Sequence, residues 1–290
     1  MAVEPTDELT DGPTDDLVAV RRRRRRLYVG VPIAIVLLAV AVVGGAYLLR
    51  SHPGARSVDS AVSRFRGSSS TTPGPDEFTR PAAGVYEATG HGTESLSVPP
   101  DSQSDGASMP VTVEHLDQGC WRWRIDYNVA HWHEYTFCPA GARLLLQAQR
   151  NHQSWDLGMT TVTNDGQYTC DPPAPIALEN AAPGETAVHH CVGSNSAAAG
   201  VSVAEGPAVN VGTETLSIGR VEVRAIHQRR TQTMSGPQTG TIDEDWWFAA
   251  DTGLPLQVTR QYRLDTSSVI GTITYKEDGT WTLKSLTPRT

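Results

Sequence analysis

Two histidines spaced two apart, in His131-Trp132-His133-Glu134, form the most suggestive local cluster of metal-ligating side chains in this 290-residue chain. On an extended strand alternate side chains share a face, so both imidazoles project the same way, at a separation from which they can share a metal ion. Tyr135 and Phe137 continue that face, which describes a mixed aromatic surface equally well. A third ligand has to come from elsewhere in the chain. His115, His152 and the His189-His190 pair are available, and no spacing places any of them. His131 and His133 are therefore metal candidates only, and no cofactor is assigned.

A second cluster, Asp243-Glu244-Asp245, precedes Trp246-Trp247-Phe248, with Asp251 just beyond. Paired carboxylates do acid–base work or bind calcium. Here no EF-hand-like ligand spacing accompanies them and no partner base is evident, so they read as a solvated strand end leading into aromatic chain. The sequence contains no G-x-S-x-G, no S-x-x-K, no catalytic-cysteine signature and no phosphate-binding G-x-x-x-x-G-K-[ST]. No catalytic residue is assigned, and the chain is not expected to be an enzyme. Seven tryptophans are spread along it. Rings of this kind usually build core layers. The functional alternative is an apolar pocket, for which Trp121, Trp123, Trp246 and Trp247 are the ligand-facing candidates.

These residues sit in chain with a period of two. Trp121, Trp123, Ile125 and Tyr127 share one face, while Arg122, Arg124 and Asp126 share the other; Val221, Val223 and Ala225 alternate with Arg220, Glu222 and Arg224. Further strands are predicted over 256–264, 269–275 and 281–286. The last two are joined by Lys276-Glu277-Asp278-Gly279, whose Asp-Gly pair signals a hairpin. Turns are predicted at Asp117-Gln118-Gly119, Asn164-Asp165-Gly166, Ser217-Ile218-Gly219 and Asp251-Thr252-Gly253. No helical period outlasts two turns beyond residue 80. The fold class that follows is all-β over 81–290, an antiparallel meander forming a curved sheet or incomplete barrel.

Ahead of that domain the composition changes sharply. Residues 1–26 carry six acids followed by six arginines, Arg21 to Arg26, and read as a disordered tail. An uncharged run of 23 residues follows, Leu27 to Leu49. A helix that long reaches about 34 Å, enough to cross a bilayer once. The arginine cluster on its N-terminal flank keeps the N-terminus cytoplasmic, so 27–49 is read as a signal anchor in the plasma membrane and everything after it as extracytoplasmic. The run is too long for a signal-peptide core. Residues 50–80 read as a flexible stalk centred on Gly67 to Pro75, within which Val58, Ala61, Val62 and Phe65 hold helical spacing, as for a short amphipathic helix lying on the membrane or plain coil.

All four cysteines, Cys120, Cys138, Cys170 and Cys191, fall on the outer side of the expected span, where disulfides persist. Three pairings are possible; Cys120–Cys138 and Cys170–Cys191 are favoured because each bounds a locally folded segment. The closely spaced C-x₂₋₄-C of a zinc site is missing. Residues 81–290 hold 13 Lys and Arg against 23 Asp and Glu, a net charge of −10, which argues against nucleic acid as a partner.

The segment Trp247 to Leu256, with its Thr252-Gly253-Leu254-Pro255-Leu256 turn, resembles a hairpin of uncharacterised membrane-anchored ectodomains from high-GC Gram-positive bacteria. The Cys120-Trp121 pair, the four-cysteine arrangement and the ending Leu283 to Arg289 are similar to that family as well. The same hairpin resembles, more distantly, that of LolA/LppX-type lipoprotein carriers, a likeness that implies a half-barrel holding lipid-like ligands. The expected function is a tethered ectodomain that binds an apolar or lipid-like envelope component. The alternative is a protein-interaction or structural module of the envelope, and a metal-dependent enzyme comes after both.

Overall fold

The computed structural model describes residues 50–68, 79–141, 143–178, 182–268 and 271–290, together with Gly45. The expected tail and, Gly45 apart, the expected span 27–49 lie outside the described residues. Among those described, no helix is long and apolar enough to cross a membrane. The description below concerns the unit Ser51–Thr290.

Alternating burial governs the chain from Gly84 to Leu283, and each apolar face turns toward one interior. The strands are β1 (Gly84–Ser97), β2 (Pro100–Ser104), β3 (Ser108–His115), β4 (Trp121–Asp126), β5 (His131–Ala140), β6 (Arg143–Asp156) and β7 (Thr161–Leu178). They continue as β8 (Thr186–Asn195), β9 (Ala198–Ile218), β10 (Val221–Ser235), β11 (Gln238–Ala249), β12 (Pro255–Ser268) and β13 (Gly271–Leu283). From β3 onward each strand pairs antiparallel with the next, as a meander requires. The sheet is not left open. β13 returns to β1, in register from Ala88↔Leu283 to Leu96↔Tyr275, so β1 and β3 to β13 close a twelve-stranded barrel and β2 extends the hairpin beyond the end of β3. Closure satisfies the edges that a curved sheet would expose, and it replaces the expected incomplete barrel.

Two expected turns are strand. Lys276 to Gly279 runs through the middle of β13, and Asn164 to Gly166 through β7. In both, glycine makes room for a neighbouring side chain. A Cβ on Gly279 would lie 3.0 Å from the Arg260 guanidinium, and one on Gly166 only 2.0 Å from Asn151 Oδ1. The turns at Asp117-Gln118-Gly119, Gly219 and Asp251-Thr252-Gly253 form where expected.

Alternate turns of a meander share an end of the barrel. At the end bearing the β3/β4, β5/β6 and β11/β12 turns, aromatic rings close the interior: Trp123 stacks on Trp281 at 5.3 Å and meets Trp246 edge-on at 5.9 Å, while Trp121 tilts against Phe137 at 4.6 Å. Both favoured disulfides form, Cys120–Cys138 and Cys170–Cys191, the second joining directly opposed residues of β7 and β8.

Part of the expected stalk is folded. Residues Val58–Ser68 form a helix, α1, whose Ala61, Val62 and Phe65 are buried against Val85 on the outer barrel wall. The apolar stripe therefore covers protein rather than a membrane surface. Preceding it, residues 51–57 run along the rim of the opposite end, at the β4/β5 and β6/β7 turns: Ser51 Oγ lies 2.5 Å from Asp156 Oδ2, and Val129 N–H donates to the Gly54 carbonyl at 3.0 Å.

Candidate functional site

Strand alternation on β5 sends His131, His133, Tyr135 and Phe137 inward, as the spacing implies, and Trp132 outward, where it stacks on His152. The two inward imidazoles meet above the tryptophan layer with their Nε2 atoms 3.2 Å apart. Their third neighbour is none of the expected histidines. His115 and His189 each place Nε2 2.8 Å from a backbone carbonyl, of Pro81 and Pro175, while His152 and His190 pair with Asp165 and Glu205 away from the interior. Instead β13 supplies Glu277. One ligand atom each from His131, His133 and Glu277 lies within 4.8 Å of the others, and all three residues are buried.

A polar network holds these groups in place. Glu277 accepts from Arg260 and, at 2.5 Å, from the Tyr275 hydroxyl, which also reaches Glu94 at 2.9 Å. Arg260 donates to Asp105 at 2.8 Å and lies 3.8 Å from the centre of the Tyr127 ring. His131 Nδ1 lies 3.1 Å from Glu94 Oε1, close enough to attract but poorly aligned for a full hydrogen bond. Gln103 donates to the same Glu94 oxygen at 2.6 Å.

Burial shapes the protonation of this cluster. It drives His133 down to about 3, leaving a neutral imidazole. Burial pulls His131 down as well, but Glu94 and Glu277 outweigh it and the net shift is upward. Burial pushes Glu277 up, yet Arg260 and the neighbouring histidines hold it well below the ordinary carboxylate range, so it is a carboxylate.

Beside the cluster lies a cavity of about 250 Å³. Leu96, Trp155, Met234, Ile242, Leu264 and Ile273 give it mainly apolar walls, and His133, Glu244 and Tyr262 add polar groups at its inner surface. Glu244 is the middle member of the acidic triplet. Alternation on β11 turns it inward, where it accepts from Arg230, Tyr262 and Trp246 Nε1, while Asp245 faces outward to His227 and Arg229. The triplet is thus divided between two faces and forms no single acid site.

The tryptophan candidates do not line this cavity. Trp121, Trp123 and Trp246 are buried in the closed end, and Trp247 is half-buried on the outside, stacked on His227 at 4.2 Å. Cavity-lining Trp155 and Tyr262 were not singled out by sequence reasoning; inward phase on their strands was the available signal. Glu277 was hidden by the hairpin reading of its segment. Compared with protein-family models, curated proteins and solved structures, the chain gives no match.

Proposed function

We propose that this protein is an exported, membrane-tethered barrel that takes a small amphipathic or lipid-like envelope molecule into its interior. The carrying observation is the cavity, whose lining combines apolar side chains such as Leu96, Trp155 and Met234 with amides such as Gln153, Asn195 and Gln232, a mixture that suits an amphipathic molecule. Of its exposed lining residues, Val162, Ala197 and Ser268 lie beside the β6/β7, β8/β9 and β12/β13 turns, which puts the mouth at the end opposite the tryptophan layer. Turns at that end carry exposed apolar side chains, among them Val98, Val129 and Met159, which suit contact with a lipid surface. The two disulfides fit an oxidising compartment outside the cytoplasm. Tethering by residues 27–49 and the resemblance to membrane-anchored ectodomains and lipoprotein carriers belong to this reading.

Native mass spectrometry of residues 51–290, which keep the rim segment and α1, tests it. A retained small-molecule mass that disappears in Met234→Trp, where the cavity is filled, is the expected result. An adduct-free spectrum of folded protein prepared from cells and given envelope lipid extract overturns it.

A further inference from the structure

We infer that His131, His133 and Glu277 form a binding site for a divalent transition-metal ion of the zinc class, with Glu94 as the outer carboxylate that orients His131. This does not depend on the cavity's ligand. Two nitrogens bound to one tetrahedral metal at about 2.0–2.1 Å stand about 3.3 Å apart. The Nε2 atoms of His131 and His133 are 3.2 Å apart, facing each other, on adjacent inward positions of one rigid strand. Glu277 completes a His₂–carboxylate set, a donor combination that suits zinc and related ions. Its oxygens already accept from Arg260 and Tyr275, and each retains a second lone pair for a metal.

Two further observations point the same way. Glu94 Oε1 lies 3.1 Å from the far nitrogen of His131, so a small turn of the ring on binding a metal would form the carboxylate–histidine hydrogen bond that orients metal-bound imidazoles. Charge balance is the second. Asp105, Glu94 and Glu277 bring three carboxyl groups, with side chains no more than 2% exposed, to a cluster that contains one guanidinium, Arg260. Buried charge must be compensated where it stands; a proton on His131 supplies one positive charge, and a dication at the histidine pair in its place supplies two.

The test is calorimetric titration of the full-length chain, purified in detergent and stripped with chelator, using zinc chloride alone. One site of micromolar or tighter affinity is expected. Cobalt(II) in its place should give the visible absorption of a four-coordinate ion. His133→Gln should lose the cobalt spectrum, and Glu94→Gln should weaken zinc binding roughly 10–100-fold, as loss of an orienting partner does. Zinc binding must survive in His152→Gln/His190→Gln, which removes two imidazoles outside the cluster. If folded wild-type protein shows no such binding, the two nitrogens share only a proton and the site does not exist. Loss of binding in the His152/His190 variant would assign it to the surface and overturn the proposal as well. Should His133→Gln fail to fold, the wild-type titration and Glu94→Gln remain decisive.

Discussion

Gly279 on β13 stands directly opposite Arg260 on β12, and the Arg260 guanidinium occupies the space that a side chain at 279 would take. Arg260 cannot retreat easily, because Glu277 and Asp105 hold it and Tyr127 lies beneath it. Gly279→Ala should therefore overpack the interior and cost about 1–3 kcal/mol, despite alanine's better strand entropy. Urea unfolding of the oxidised protein measures this, and an unchanged or raised midpoint would show that the guanidinium moves freely.

Helix α1 tests whether the segment after the apolar run belongs to the fold. Phe65 is buried with Ala61 and Val62 against Val85, and Arg289 reaches Asp59 at 2.5 Å. Phe65→Ala should cost about 2–3 kcal/mol, below a deep-core deletion because the site is peripheral. A chain beginning at residue 79 should be less stable than one beginning at 51 by at least as much. Equal melting of the two chains would make the segment a stalk after all.

A stability change with pH is expected from His189. Burial, with Arg230 nearby, lowers it to about 4 from an ordinary 6.5, so it is neutral in the fold. As pH falls through 6.5 the unfolded chain takes up a proton that the folded chain refuses until about 4. Stability is therefore lost across that window, by up to about 3 kcal/mol, and the loss is complete below it. The wild-type stability curve minus that of His189→Gln should show this slope between pH 6.5 and 4 and be flat above 7. A flat difference throughout would mean that the ring is hydrated.

Each disulfide closes a short loop, with sequence separations of 18 and 21. Chain entropy assigns about 3 kcal/mol to each. Replacing either pair by serine should lower the unfolding free energy by about that amount while the barrel still forms, since its closure comes from the β1–β13 ladder. Loss of all strand signal in circular dichroism after removing Cys170–Cys191 alone would contradict this division of labour.

Much of the wall was legible in the sequence. Period two on β4 and β5 is a local property, so the shared face of Trp121 and Trp123 and that of His131 and His133 followed from side-chain alternation alone, while the cysteine pairing followed from the short segments that each pair bounds. Turns that need a positive φ, such as Gly219 and Gly253, were legible for the same reason. The spacing of Val58, Ala61, Val62 and Phe65 allowed a helix or plain coil and did not say what would cover it.

What only the tertiary structure decided depends on partners far apart in the chain. Asp278-Gly279 has the composition of a hairpin, yet its glycine answers Arg260 across the ladder, and the turn reading hid Glu277 from the histidines it joins. Closure of β13 on β1, Ala88 against Leu283, rests on register between the two ends of the domain. Local propensity carries no information about such a pairing, because it becomes favourable only when the intervening strands bring both edges together. The sequence by itself therefore determined which faces turn inward; the closed barrel determined which residues meet there.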